Sequence, residues 1–493
     1  MYVRKGKNGN TTFFQIGKKV NRKFVLIKHV GSASTPEQIE VLRQKALKDL
    51  EIEKTIIQPT LFPEIMPSIK AKLSSWRITG FHQIFGHIYD RIGFPLNTLR
   101  DLSIARIVYP KSKLATSCYL DQYLGVSISE DKIYRFLDTL KKEELTRIAF
   151  DFVSKKNNGI AIIFYDVTTL YFEADEEDDL RKRGYSKDHK NELPQIVVGL
   201  FVDKDGYPID FEFYEGNTFE GHTFPVAIKA LTIKYNLNDL VVVADAGMLS
   251  DKNISFLETE NISYIVGARL KAMPKTLKEQ IFLHNFIKEP IYDVMYDNKT
   301  KKSGQKRLIV NYSEKRARKD CYNRDRLIKS LKAKIAAKQE VVRKSKYLII
   351  EQKGTIAGID QDKIDQDKRH DGLKGYWTNL KLTIKPTEII EQYNNLWNVE
   401  KAFRMSKSDL RGRPIFHRKI ARIKGHLLIC FCSLLVMKET EKILKPTGIS
   451  LSKAIEVLGK VGQGEMTINN IKMQIESELS TEADNIIKQV LGH

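Results

Sequence analysis

The sequence predicts a mixed α/β protein with helical flanks, on three observations. Apolar runs between residues 160 and 245 alternate with turn signals, a helical period runs through residues 74–150, and helical patterning returns from Thr387 onwards. At 493 residues and 42% apolar side chains, the chain exceeds what one hydrophobic core organises, so a large central domain with smaller ones is expected. Lys and Arg number 82 against 61 Asp and Glu, a net charge of +21. Such an excess points to a polyanion, and its spread over several segments favours nucleic acid over an anionic membrane surface.

Residues 1–60 open with polar–apolar alternation around Gly6-Lys-Asn-Gly9 and Lys18–Lys23, the pattern of a small basic β-hairpin. Thr35-Pro-Glu-Gln38 then starts a helix expected to reach about Lys54, with threonine as N-cap and proline in the first turn. Residues 61–150 form a helical region with turns at Gly93-Phe-Pro95 and Pro110-Lys-Ser112. Within it, Val126–Leu137 reads as a capped helix carrying Lys132 and Arg135, which fits the reading helix of a helix-turn-helix and an ordinary helical domain equally.

From residue 151 to 270 strands dominate: Ile160–Asp166, Gln195–Val202 and Ile209–Tyr214, then a helix Pro225–Tyr235, a strand Leu240–Asp245, a helix from Asp251 and a strand Ile262–Val266. This is the element order of a ribonuclease-H-like core. Residues 271–375 interrupt it as an inserted subdomain of short strands and helix. Its stretch from Ser313 to Lys346 holds 13 Lys/Arg against 4 Asp/Glu, a solvated face or a surface for non-specific phosphate contact. Residues 376–440 complete the core with a long helix over about Thr387–Leu410, and 441–493 form a helical C-terminal region. Cys118, Cys321, Cys430 and Cys432 lack the spacing of a zinc site and suit a reducing compartment. The last two lie in the apolar run Leu427–Met437, expected as buried core and too short to span a bilayer; no apolar leader precedes the first domain, so cytoplasm is the expected location.

Three acidic residues stand out. Asp166 ends a nearly continuous apolar run, where an ionised group is costly unless paired. Asp245 does the same after Leu240–Ala244, with Ala246-Gly247 turning the chain. In a core of this order the first and fourth strands lie side by side, bringing the two aspartates together, and adjacent carboxylates repel unless a cation lies between them. An all-oxygen site suits magnesium, with manganese as substitute. Taken singly, each aspartate equally suits a turn cap. Tyr393, Glu400 and Lys407 recur every seven residues and share a helix face with Arg404 and Arg411 beside them, either a catalytic carboxylate in a cationic stripe or a salt-bridged surface helix. Trp377 and Trp397 read as core residues, with stacking on an unpaired base as the alternative.

Tyr165-Asp-Val-Thr-Thr-Leu170, Asp245-Ala-Gly247 and Tyr393-x6-Glu400-x6-Lys407 together resemble the signature regions of bacterial insertion-sequence DDE transposases of the insertion sequence 4-like group, whose third region reads Tyr-x2-Arg-x3-Glu-x6-Lys. Gly216-Asn-Thr218, Asp371-Gly372, Thr378-Asn379, Arg413-Pro-Ile-Phe-His417 and Gly425-His426 are similar to that group too, and the likeness spans residues 150–435. The departure is Leu396, where the group has arginine, so its phosphate contact is missing or passes to a residue such as Arg404. The resemblance implies cleavage at transposon ends and strand transfer into target DNA, with Asp166, Asp245 and Glu400 holding two Mg2+ ions, or Mn2+. It implies DNA contacts by Tyr393, Arg404, Lys407, Arg411, Arg413 and His417. The terminal inverted repeats, recognised by the N-terminal regions with Lys132 and Arg135, and a homodimer on paired ends are the implied partners, in a bacterial cytoplasm at the nucleoid. The alternatives are a nuclease of the same core that does not join strands, and an inactive relative that binds DNA as repressor or bridge. A carbohydrate hydrolase working through paired carboxylates fits poorly with the +21 charge.

Overall fold

Alternation in the first 33 residues makes three strands where a hairpin was expected: β1 (Tyr2–Asn8), β2 (Thr11–Val20) and β3 (Lys23–Ala33), an antiparallel meander. β2 turns Phe14 and Ile16 inward, and the helix Pro36–Ile57 packs on this face through Ala46 and Leu50. The computed structural model describes the chain except residues 21–22, 58–70, 187–189, 249, 297–305, 337–345, 351–355, 469 and 493, so part of the expected basic run Ser313–Lys346 lies outside the described residues. The chain divides into two compact units, Met1–Ser75 with Gly464–Ile475, and Trp76–Gln463 with Glu476–His493. β4 (Ala71–Ile78) is a strand where the helical pattern was expected to begin at Ser74.

In the larger unit, local capping sets the helices. Asn97, Ser112 and Ser129 each accept a backbone N–H at the start of Thr98–Val108, Lys113–Tyr119 and Glu130–Thr139. Lys113–Tyr119 packs on Thr98–Val108 and Glu130–Thr139, which with Lys142–Asn157 gather around the 25-residue helix Ile420–Leu444. That helix is apolar on all faces because it is enclosed on all faces. Around the run read as too short for a membrane, the helix is long and apolar enough to cross one by length and composition, but 78% of its apolar window is buried inside the protein. Cys430 and Cys432 are buried there, as expected.

The central sheet has eight strands. Five are β5 (Ile162–Tyr171), β6 (Gln195–Asp203), β7 (Pro208–Glu215), β8 (Val241–Ala244) and β9 (Ser263–Ala268). Beyond these come β10 (Ile291–Tyr296) and β11 (Lys306–Tyr312), a separate pair β12 (Leu348–Ile350) and β13 (Ile356–Ile359), and β14 (Leu373–Thr378). The order is β10-β11-β14-β9-β8-β5-β6-β7. β5, β6 and β7 form an antiparallel meander, while β8 runs parallel to β5 and β9 parallel to β8. The two strands expected to be neighbours, β5 and β8, are neighbours.

Three strands from the segment read as an insertion continue this sheet. β14 pairs antiparallel with β9, and β11 with β14. Arg307 of β11, 1% exposed, donates to both carboxylate oxygens of Asp293 at 2.9 and 2.7 Å and to the Lys381 carbonyl at 2.8 Å, locking this edge. Several family-like motifs are structural here. Thr378 donates to the Tyr264 carbonyl, and Asn379 brackets the start of β9 by accepting from Tyr264 N–H and donating to the Ile262 carbonyl. Gly216 has no room for a side chain, since an added Cβ would lie 2.0 Å from the Gln195 carbonyl oxygen. β15 (Gly462–Ile468) and β16 (Ile471–Glu476) join β4 in a small sheet ordered β16-β15-β4, followed by the helix Thr481–Leu491.

Candidate active site

Register brings the two aspartates together. Tyr165 of β5 pairs with Ala244 of β8 in parallel, so Asp166 and Asp245 are the next residues along adjacent strands. Asp166 is half-buried within β5 and not fully buried, and Asp245 is exposed just past the end of β8. The C-terminal end of parallel strands is where α/β sheets commonly place their chemistry.

The helix expected as one rod over Thr387–Leu410 is three pieces: Pro386–Asn394, Trp397–Arg404 and a π-turn Met405–Asp409. At Asn395–Leu396 the bonding tightens, with Leu396 N–H donating to the Tyr393 carbonyl and Asn398 N–H to the Asn395 carbonyl, and Lys407 falls in the π-turn, so Tyr393, Glu400 and Lys407 do not lie in one uninterrupted α-helix. The first piece packs against β8 and β9, the second across β5 and β6. Val399, Ala402 and Phe403 face the sheet, Asn398 donates to the Lys204 carbonyl at 2.9 Å, and Glu400 is left exposed. Leu396 is a buried core residue at the break, 7% exposed. Trp397, expected in the core, is 53% exposed, while Trp377 is half-buried against Tyr296.

Tyr393 is buried, and its hydroxyl donates to Asp245 Oδ1 at 3.1 Å. Burial and the neighbouring Asp245 charge push its phenol pKa up, so it stays a donor. Its hydroxyl passes Gly267, where an added Cβ would stand 2.4 Å from it. Lys374 of β14, unnoticed in the sequence because it lies in the stretch read as insertion, places its ammonium 4.5 Å from the Tyr393 ring centre. Burial, with Arg316 nearby, holds Lys374 below the usual lysine range against the opposing pull of both Asp245 and Glu400. Tyr393 and Lys374 thus both feel Asp245 and Glu400. Among the described residues, however, no three His, Cys, Asp or Glu side chains converge as a metal-binding group.

The remaining candidates spread over other elements. Lys407 lines a small cavity with Thr168, which shares the Asp166 face of β5. Arg404 is exposed. Arg411 lies beyond the helix with φ 45°, so it does not continue the cationic stripe. Arg413 lies over the Tyr171 ring at 5.8 Å, and His417 packs against Tyr134. Lys132 and Arg135 are exposed on Glu130–Thr139.

Residues 157–436 match the transposase DDE domain family, more than half of the chain, and the chain belongs to that family. Among solved structures it is similar to the piggyBac transposase in a synaptic complex with hairpin DNA, at 12% identity and a TM-score of 0.37, over 77% of this chain and 76% of that one. It is also similar to the Mos1 transposase in a paired-end complex with the left transposon end, at 12% identity and a TM-score of 0.16, over 35% of this chain and 60% of that one. Neither overlap is close enough to assign a residue. No curated protein matches the sequence.

Proposed function

We propose that this transposase-family protein cleaves DNA at transposon ends and joins them to target DNA, with Asp166, Asp245 and Glu400 as its metal-holding carboxylates. The observation that carries the reading is the Tyr165–Ala244 register, which sets two carboxylates side by side in a family-matched segment. The sheet order, an antiparallel meander followed by two parallel strands on its inner side, fits a ribonuclease-H-like core. The +21 charge and the transposase family agree with DNA as partner, and a homodimer on paired ends in a bacterial cytoplasm belongs to the same proposal.

The donor set fits a hard divalent cation, because all three candidates offer carboxylate oxygen and two stand at matching positions on neighbouring strands, Asp166 within β5 and Asp245 just past β8. When bound, two magnesium or manganese ions stabilise developing charge on the phosphate and activate water or a DNA 3′-hydroxyl. The chain's own groups prepare that site. Tyr393 fixes Asp245 through its hydrogen bond, and Gly267 leaves the room for it to do so. Lys374 offsets the negative charge of Asp245 and Glu400. Lys407 and Arg404 are positioned for strand phosphates from the same helical arm.

A second reading, a relative that bridges DNA without chemistry, draws support from the unconverged trio. Labelled DNA carrying the element's ends, incubated with the protein and magnesium or manganese, separates the readings. Nicked and joined products support the transposase, nicked products alone a nuclease, and bound but intact DNA the bridging relative.

A further inference from the structure

A second site is built where the helical region meets the Arg411–His417 loop. A cavity of about 470 Å³ is lined there by Arg106, Lys113, Arg411, Arg413, His417 and His426 among others, with no carboxylate in its wall. Arg106 is 7% exposed, and Lys113 and His426 are 4% exposed. Among the described residues, no side chain pairs with the Lys113 ammonium, and burial followed by the like charge of Arg106 pushes its pKa down. His426 donates from Nε2 to the Gly412 carbonyl at 3.2 Å, leaving Nδ1 to accept from Arg106 Nη2 at 3.4 Å, so it orients the guanidinium as a neutral ring. Burial, then the cations Lys113, Arg106 and Arg422, push His417 down to about 3 and keep it neutral as well. Lysine can shed its proton on burial, but arginine does not, so Arg106 keeps its positive charge, and its partners here, the Leu410 carbonyl and His426 Nδ1, are uncharged.

We propose that this cavity binds one backbone phosphate of a DNA strand, gripped by Arg106 and Lys113. The placement argues for DNA over an arbitrary anion. Ile415 N–H donates to the Tyr171 carbonyl at 3.0 Å, docking the loop on β5 five residues beyond Asp166, about 17 Å along the strand and roughly five base-pair steps of duplex. At the rim Phe416 is 69% exposed and Arg411 is exposed. A strand whose reacting phosphate lies near Asp166 thus has a second phosphate within reach of the cavity. This inference rests on the transposase reading and adds Arg106 and Lys113 to its DNA contacts, with His426 positioning Arg106.

The test compares wild type, Lys113→Met and Lys113→Arg for binding a duplex oligonucleotide across a salt series, and for melting in inorganic phosphate against sodium chloride at equal ionic strength. Lys113→Met is expected to bind about tenfold more weakly and to lower the slope of log affinity against log salt by about one, while Lys113→Arg stays near wild type. Phosphate should raise the melting temperature of wild type and not of Lys113→Met, and free Lys113→Met should melt no lower than wild type, since it removes a buried amine that has no side-chain partner among the described residues. Equal slopes and affinities for Lys113→Met and wild type overturn the inference. Phosphate protection with an unchanged DNA slope overturns the DNA assignment in favour of a free anion. Wild type that binds no DNA defeats the proposed function too, whereas DNA binding insensitive to Lys113 defeats this inference alone.

Discussion

Removing the Glu439 carboxylate should loosen the larger unit by about 3 kcal/mol. Its side chain is 1% exposed in the middle of Ile420–Leu444 and takes the Arg91 guanidinium, the Lys156 ammonium at 3.0 Å and the Tyr207 hydroxyl at 2.6 Å. These come from the helix His87–Ile92, the helix Lys142–Asn157 and the turn between β6 and β7, so one carboxylate ties three elements to the central helix. In Glu439→Ala, Arg91 and Lys156 recover water, being 43% and 38% exposed. Tyr207 is 1% exposed and cannot, leaving a buried hydroxyl without its acceptor at roughly 1–3 kcal/mol. Adding the lost charge pairing, about 3 kcal/mol falls at the lower end of measured losses on breaking a buried ion pair. Urea unfolding of wild type, Glu439→Ala, Tyr207→Phe and the double variant measures it, with a coupling of about 1 kcal/mol or more expected between the two sites. A loss under about 1 kcal/mol for Glu439→Ala, or strict additivity, would refute the reasoning.

Two further outcomes follow from local geometry. Burial raises Asp203 from 3.8 to about 6 against hydrogen bonds from Tyr207 and Asp205 N–H. A raised carboxyl contributes stability that is fully present below the unfolded pKa and lost as pH rises through the folded one. Stability should therefore fall by up to about 3 kcal/mol between roughly pH 4 and 6 through this group, and an Asp203 carboxyl signal titrating below about pH 4.5 would contradict it. Gly267→Ala should displace the Tyr393 hydroxyl from Asp245, and Tyr393→Phe should remove it. Both are expected to cost only about 1 kcal/mol of stability because Asp245 is exposed, yet to raise the manganese concentration needed for half-maximal strand cleavage; unchanged metal dependence in both would count against Tyr393 as the residue that positions Asp245.

The strands carrying Asp166 and Asp245 were legible because each opens with an apolar run broken by a carboxylate, within the strand at Asp166 and before a turn at Asp245. Their adjacency followed from element order. The break at Asn395–Leu396 was not legible, since the apolar residues on both sides keep a helical period, and the two pieces pack on different strands that the local sequence does not name. β14 escaped for a related reason: its partner β9 lies over a hundred residues earlier in the chain, and Leu373-Lys-Gly-Tyr-Trp-Thr378 alone says nothing of that pairing. Lys374 was lost with it. Trp397 misled because a tryptophan at helical spacing looks like core, while Val399, Ala402 and Phe403 take the buried face of its helix and leave it at the surface. Arg106 and Lys113 carried no local signal at all, and His426 stood out only through the Gly425-His426 likeness, because only the docking of two distant segments makes them one cluster.

The most direct test of the central claim compares wild type with Asp166→Asn, Asp245→Asn and Glu400→Gln in magnesium and in manganese, scoring strand cleavage, strand joining and DNA binding on the element's own ends. Each substitution is expected to abolish both reactions while leaving DNA binding within about twofold, since none removes a phosphate contact. Full activity in Glu400→Gln, or in either asparagine variant, would show that the chemistry lies elsewhere.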